Sequence, residues 1–144
     1  MSISVINKGA RSFKTLKTAV IYLGVTVFCV VFDRVYALFG HGVESNAMLF
    51  MFLYPLLGGF VPFLLLWLLY KNIEKNLFYR ASLNIYHSGI ALLTVGSVLD
   101  GIVEIAGASS VYIPYFSYFG IAFLLVGIAL YLAGVIMELK KPKA

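Results

Sequence analysis

The chain has 144 residues, 62% hydrophobic and only 12% charged, against averages of about half and about a quarter in soluble domains. A water-soluble core of this size has no room for so much apolar surface, so lipid must cover it. The net charge of +5 comes from basic residues at the edges of apolar runs, a distribution that orients membrane spans and argues against a nucleic-acid-binding face.

Residues 1–17 carry Lys8, Arg11, Lys14 and Lys17 and no acid. They form a basic, partly amphipathic lead-in suited to an anionic membrane surface. A cleavable signal peptide is the competing reading, but the apolar run that follows is too long and no Ala-x-Ala site is evident. The first span is expected over residues 18–39. It contains Cys29, the single cysteine, which excludes an internal disulfide and a cysteine-cluster metal site and reads as a small buried or lipid-facing residue. Asp33 and Arg34 lie in its last third. The stretch 39–46, FGHGVESN, then reads as a short turn carrying His41 and Glu44.

The second span is expected over residues 47–70. Pro55, Gly58, Gly59 and Pro62 fall close together in it. Each proline removes a backbone donor and the glycines leave the chain unbraced, so a kink or hinge is expected there. Transporters use such breaks as binding sites, and static packing kinks are as ordinary in spanning helices. Residues 71–80 hold Lys71, Lys75 and Arg80 against Glu74.

The third span, residues 82–107, carries two carboxyls one helical turn apart, Asp100 and Glu104. At about 100° per residue, Ser82, Tyr86, Gly89, Leu93, Gly96, Ser97, Asp100, Glu104 and Gly107 share one arc. That arc is expected to face other helices, because charge against lipid is costly and small residues permit close packing. His87 lies off the arc and suits a hydrogen bond near the inner loop. The fourth span, residues 114–137, opens on Pro114 within an aromatic belt of Tyr112, Tyr115, Phe116, Tyr118 and Phe119. Gly120, Gly127 and Gly134 recur every seven residues and form a seam for a neighbouring helix. Residues 138–144 are a basic tail.

The predicted fold is an all-α integral membrane protein: an antiparallel four-transmembrane-helix bundle over residues 18–137, N-in and C-in, with a kinked second helix. Ten of the basic residues fall on one side of the four spans and only Arg34 toward the other. Both termini are therefore expected in the cytoplasm and the chain in the plasma membrane.

This topology gathers Asp33, Arg34, His41, Glu44, Asp100 and Glu104 at one end. Counting from the basic residues, Asp33 lies about 24 Å along its helix and Asp100 about 30 Å along its own, so the two can share a layer. Arg34 is the one cation there, and it is expected to pair with Asp100, Glu104 or both in a structural network with Asp33. Asp100, Glu104, Asp33, His41 and Glu44 are weak candidates for a cation or proton site. No HExxH or paired histidine supports zinc. His41 and His87 differ in level by roughly a bilayer thickness, which excludes a bis-histidine haem within one chain. No nucleophile, base and orienting acid share a layer, so no catalytic residue and no cofactor are predicted.

Three functions are compatible with these features. The first is a non-enzymatic subunit or accessory partner of a larger membrane complex, or a homo-oligomer, using the glycine seams to pack. The second is a small oligomeric transporter or channel that uses Asp100, Glu104 and Asp33 for a cation or proton. In size and helix count alone the chain resembles the small multidrug exporters, which depend on a membrane-embedded Glu in the first helix where this chain has Asp33 near the outer end. The third is an outer-leaflet enzyme acting on a lipid or quinone.

Overall fold

The computed structural model describes residues 3–40, 43–69 and 77–139. The residues described are mostly helical, with no strand among them: α1 (Ile3–Phe39), α2 (Asn46–Leu49), a π-helical segment (Tyr54–Phe60), α3 (Val61–Leu69), α4 (Leu77–Ile105) and α5 (Ile113–Leu139). Four stretches are long and apolar enough to cross a membrane: Thr15–Phe39, Asn46–Leu68, Tyr79–Ile105 and Ile113–Met137. Between 17% and 22% of each stretch's most apolar window is buried within the protein, so most of that surface faces outward. The turn residue His41, the loop 70–76 with Lys71 and Lys75, and the tail 140–144 lie outside the described residues.

The 37 residues of α1 span about 55 Å at about 1.5 Å per residue, well beyond a hydrocarbon core of about 30 Å. The basic lead-in and the first span are thus one unbroken helix. The second span is assembled from pieces. Ser45 caps α2, its hydroxyl accepting from the Met48 amide at 3.5 Å, and turns at residues 50–52 lead to the π-helical segment. There Pro55 brings no N–H, and the Val61 amide donates five residues back to the Leu56 carbonyl. A π turn is how a helix absorbs a register that prolines disturb.

α4 ends in a Schellman motif. Gly107 takes φ +67°, its amide donates to the Glu104 carbonyl, and the Ala108 amide donates to the Val103 carbonyl, both at 3.0 Å. Gly107 was expected on the packing arc. It is instead the residue that stops the helix, because only glycine enters this conformation without a Cβ penalty.

Helices adjacent in sequence are adjacent in space, forming a row. α1 packs on α2, the π-helical segment and α3; α2 and the π-helical segment pack on α4; α4 packs along α5. Among the described residues, α1 makes no backbone approach within 8 Å to α4 or α5, and α5 approaches α4 alone. Glycines permit the closest approaches. A Cβ on Gly89 would meet the Gly120 carbonyl at 2.9 Å, one on Gly96 would meet Phe116 at 2.6 Å, and one on Gly127 would meet Tyr86 at 2.9 Å. Gly59 admits the Tyr22 ring of α1 against the π-helical segment. Gly134 on α5 is half-buried. A small core of Cys29, Met48 and Met51 joins α1 to the second span, with Phe32, Tyr36, Val98 and Ile102 around it.

Candidate functional site

Polar side chains collect in two layers. The first lies where α1 and α4 end. Arg34 sits one residue from Asp33, its Nε 3.8 Å from the Asp33 carboxylate, and its Nη1 is 3.8 Å from Glu44 in the following turn. The Arg34 and Glu44 side chains are each 63% exposed and Asp33 is 13% exposed, so the Arg34–Glu44 pair is of the weak surface kind. On α4, Glu104 accepts a short hydrogen bond from the Ser45 hydroxyl. Ser97 donates to the Ala47 carbonyl at 2.5 Å. Ser45 therefore serves two ends at once: it caps α2 and ties that helix to the end of α4.

The link from Arg34 to Asp100 or Glu104 is not among the ion pairs of the described residues; Glu44 and Asp33 take the guanidinium instead. The cause is the row. The backbone of the second span comes within 8 Å of α4 and that of α1 does not, so the hydroxyl of that span reaches Glu104 first. Asp100 is exposed and makes no hydrogen bond or ion pair with any described residue. The buried positions along α4 are Ser82, Gly89, Ile90, Leu93, Gly96 and Gly101, and both carboxyl residues are exposed. The chain's own helices thus leave Asp100 and Glu104 exposed, both within the last two turns of α4. Among the described residues, no group of three His, Cys, Asp or Glu is placed to hold a metal ion.

The second layer was not anticipated. It joins three spans about one to two turns in from Lys17 and Arg80. Tyr22 of α1 and His87 of α4 share a hydrogen bond of 2.5 Å between the phenol oxygen and Nδ1. Phe63 of α3 stacks on both rings, at 5.9 Å from Tyr22 and 5.1 Å from His87. Tyr86 meets Phe63 edge-on at 6.4 Å and donates its hydroxyl to the Gly58 carbonyl at 2.7 Å. That last bond has a specific cause. An α-helix would satisfy Gly58 from the amide four residues on, and that residue is Pro62, which has no N–H. Tyr86 supplies a donor to that carbonyl from the next helix. His87 was expected to bond near the inner loop; its partner here is Tyr22 across the second span. The signal was present, since Tyr22 lies five residues after Lys17 and Tyr86–His87 six and seven after Arg80. Equal depth, read together with the proline-freed carbonyl, points to this layer.

Beside it, a groove of about 360 Å³ opens between α3, α4 and α5, lined chiefly by Pro62, Phe63, Ser82, Tyr86, Gly127 and Tyr131. Among the described residues α3 makes no backbone approach within 8 Å to α4, although the preceding π-helical segment does. The aromatic rings bridge the upper part of that gap, and the groove is what remains below them.

No family model, curated protein or solved structure matches the chain.

Proposed function

We propose that the protein is a non-enzymatic helical subunit or accessory partner within a larger assembly of a plasma membrane. In this reading both termini are cytoplasmic, the spans alternate in direction, and the second span is kinked at its π turn. The charge bias supports the orientation. The descending order of α5 residues met by ascending α4 residues (Tyr86 with Gly127, Gly89 with Gly120, Gly96 with Phe116) supports the alternation.

One observation carries the functional reading: the helix row. Within it Tyr22, Ser45, Tyr86, His87, Ser97 and Glu104 tie one span to the next, while Thr26, Ser82, Ser88 and Thr94 bond back within their own helices, and none of the buried polar side chains lacks a hydrogen-bond partner among the described residues. α5 meets the protein along one face only. Its opposite face presents Tyr118, Leu125, Leu132 and Ile136, all exposed, as a continuous stripe at helical spacing. A photo-crosslinking residue at Leu125 in native membranes tests this. One membrane protein of constant identity should be captured there and not from Val27 on α1. Capture of lipid alone at Leu125, with no stoichiometric protein recovered in mild detergent, would refute the reading. Thiol labelling of Ser110→Cys in a Cys29→Ser background tests the orientation, and labelling from the cytoplasmic side only would overturn it.

The second reading, a small transporter or channel using Asp100, Glu104 and Asp33 for a cation or proton, draws on the exposed Asp100, which pairs with no described residue. Proton flux in liposomes that falls with Asp100→Asn would favour it over the subunit reading.

A further inference from the structure

Arg34 and Asp100 do not meet within the chain, yet each is left open at the same depth. Arg34 stands five residues before the end of α1 and Asp100 five before the end of α4. The contacts of Arg34 with Asp33 and Glu44 are both 3.8 Å long, beyond the range of about 2.7–3.2 Å for a direct hydrogen bond, so guanidinium donors remain for another acceptor. Asp100 is exposed on a spanning stretch and pairs with no described residue, a costly position for a carboxylate without company. Val20, Gly24, Val27 and Val31 share a face of α1 with Arg34 at helical spacing. All four are exposed, and nothing lies within 4 Å of a Cβ on Gly24. That face is roughly opposite the buried side of α1 at Thr26 and Cys29. On α4, the residues that meet α5 (Gly89, Gly96) and those that meet the second span (Ser97, Gly101) lie roughly 100° apart around the helix. The row therefore bends at α4, and Asp100 falls on the arc inside the bend. So do Ser82 and Tyr86, which line the groove. Val20 precedes Arg34, and Tyr86 precedes Asp100, by the same 14 residues, about 21 Å of helix.

We propose that the protein self-associates head to tail, the Arg34 face of α1 in one copy seated inside the bend of α4 in the next, with Arg34 on Asp100 and Val20 at the groove between α3, α4 and α5. α1 and α4 run in the same direction: Tyr22 bonds His87 at one end, and the consecutive Glu44 and Ser45 reach Arg34 and Glu104 at the other. Two copies of one orientation therefore bring charge to charge and Val20 to the groove in a single register. The occupant is a second copy because this chain carries both halves of the contact, opposite charges at one depth and equal spacing below them. Gly24 lets the backbones approach closely. Each junction leaves one α1 face and one bend unfilled, so copies close into a ring or continue as a row. The outward face of α5 stays free for the partner proposed above, and the self-association does not depend on that partner.

The test is photo-crosslinking in native membranes between two differently tagged copies of the full chain, with the reactive residue at Val27. The expected result is capture of the second tag from Val27 and not from Val25, which is exposed on the far side of α1; the protein captured from Leu125 is absent at both. Arg34→Gln in both copies, or Asp100→Asn in both, should lower the capture about fivefold while circular dichroism stays helical. Placing the reactive residue on an Asp100→Asn copy and the second tag on an Arg34→Gln copy should restore it, because that junction keeps both charges. If Asp100→Asn does not fold, the Arg34→Gln comparison decides. Capture of lipid or a foreign protein alone from Val27, unchanged capture in Arg34→Gln, or no recovery in the mixed pair would each overturn the proposal. Capture from Leu125 should change with neither substitution, so loss of self-association would leave the subunit reading standing.

Discussion

The hydroxyl of Tyr86 should matter more because residue 62 is proline. Tyr86→Phe removes the donor to the Gly58 carbonyl, 2.7 Å away, yet leaves the ring in its edge-on contact with Phe63 at 6.4 Å. The carbonyl then faces an apolar interior without its α-helical donor. Hydrogen bonds between helices in lipid average about 0.6 kcal/mol and reach about 1.7 kcal/mol. A buried acceptor left bare costs about 1–3 kcal/mol. The loss should therefore be about 1–1.5 kcal/mol, roughly a tenfold shift in the folding equilibrium. Pro62→Ala restores an amide that can reach the same carbonyl. In that background Tyr86→Phe should cost well under half as much, a coupling of about 1 kcal/mol in a double-mutant cycle. The assay is reversible unfolding in mixed micelles with increasing sodium dodecyl sulfate, followed by circular dichroism. Strict additivity of the two substitutions would refute the repair argument. So would a full-sized loss from Tyr86→Phe in the Pro62→Ala chain.

Four further outcomes follow from the geometry and can be read in the same unfolding assay. Gly107→Ala should cost about 1–2 kcal/mol, because residue 107 holds φ +67°, whereas Gly24→Ala, with nothing within 4 Å of the added Cβ, should be neutral or slightly stabilising. Gly120→Leu should destabilise by about 1–3 kcal/mol or more, since even a Cβ there meets Leu93 at 2.7 Å; unchanged stability would mean that α4 and α5 do not pack on this seam. Ser45→Ala should cost about 1 kcal/mol through the lost cap and the lost bond to Glu104. Arg34→Gln should cost less than about 0.5 kcal/mol, because its ion pair with Glu44 is largely solvated. A larger effect of Arg34→Gln than of Ser45→Ala would restore the direct tie of the first span to the third.

Much of the architecture is legible in the amino-acid order. Apolar runs bounded by charge require helices of spanning length, because in hydrocarbon each backbone donor and acceptor must be satisfied within its own segment. Pro55, Gly58, Gly59 and Pro62 mark the irregular stretch for the same local reason. The outcome at Gly107 was also encoded locally, in a glycine just past the last apolar turn, though periodicity alone assigned it to a packing face.

Which side chain meets which was decided only by the tertiary arrangement. Depth counting places Arg34 and Asp100 at one end of the spans, but depth says nothing about lateral order. Once the second span stands between α1 and α4, Ser45 is the group within reach of Glu104, and Arg34 turns to Glu44. The same lateral order brings Tyr22, Phe63, Tyr86 and His87 together from three spans and opens the groove beneath them. Helix formation is governed by neighbours along the chain, so a single sequence exposes it. Lateral packing is governed by glycine contacts and a proline-freed carbonyl acting between distant segments, and those partners become visible only when the helices are set side by side.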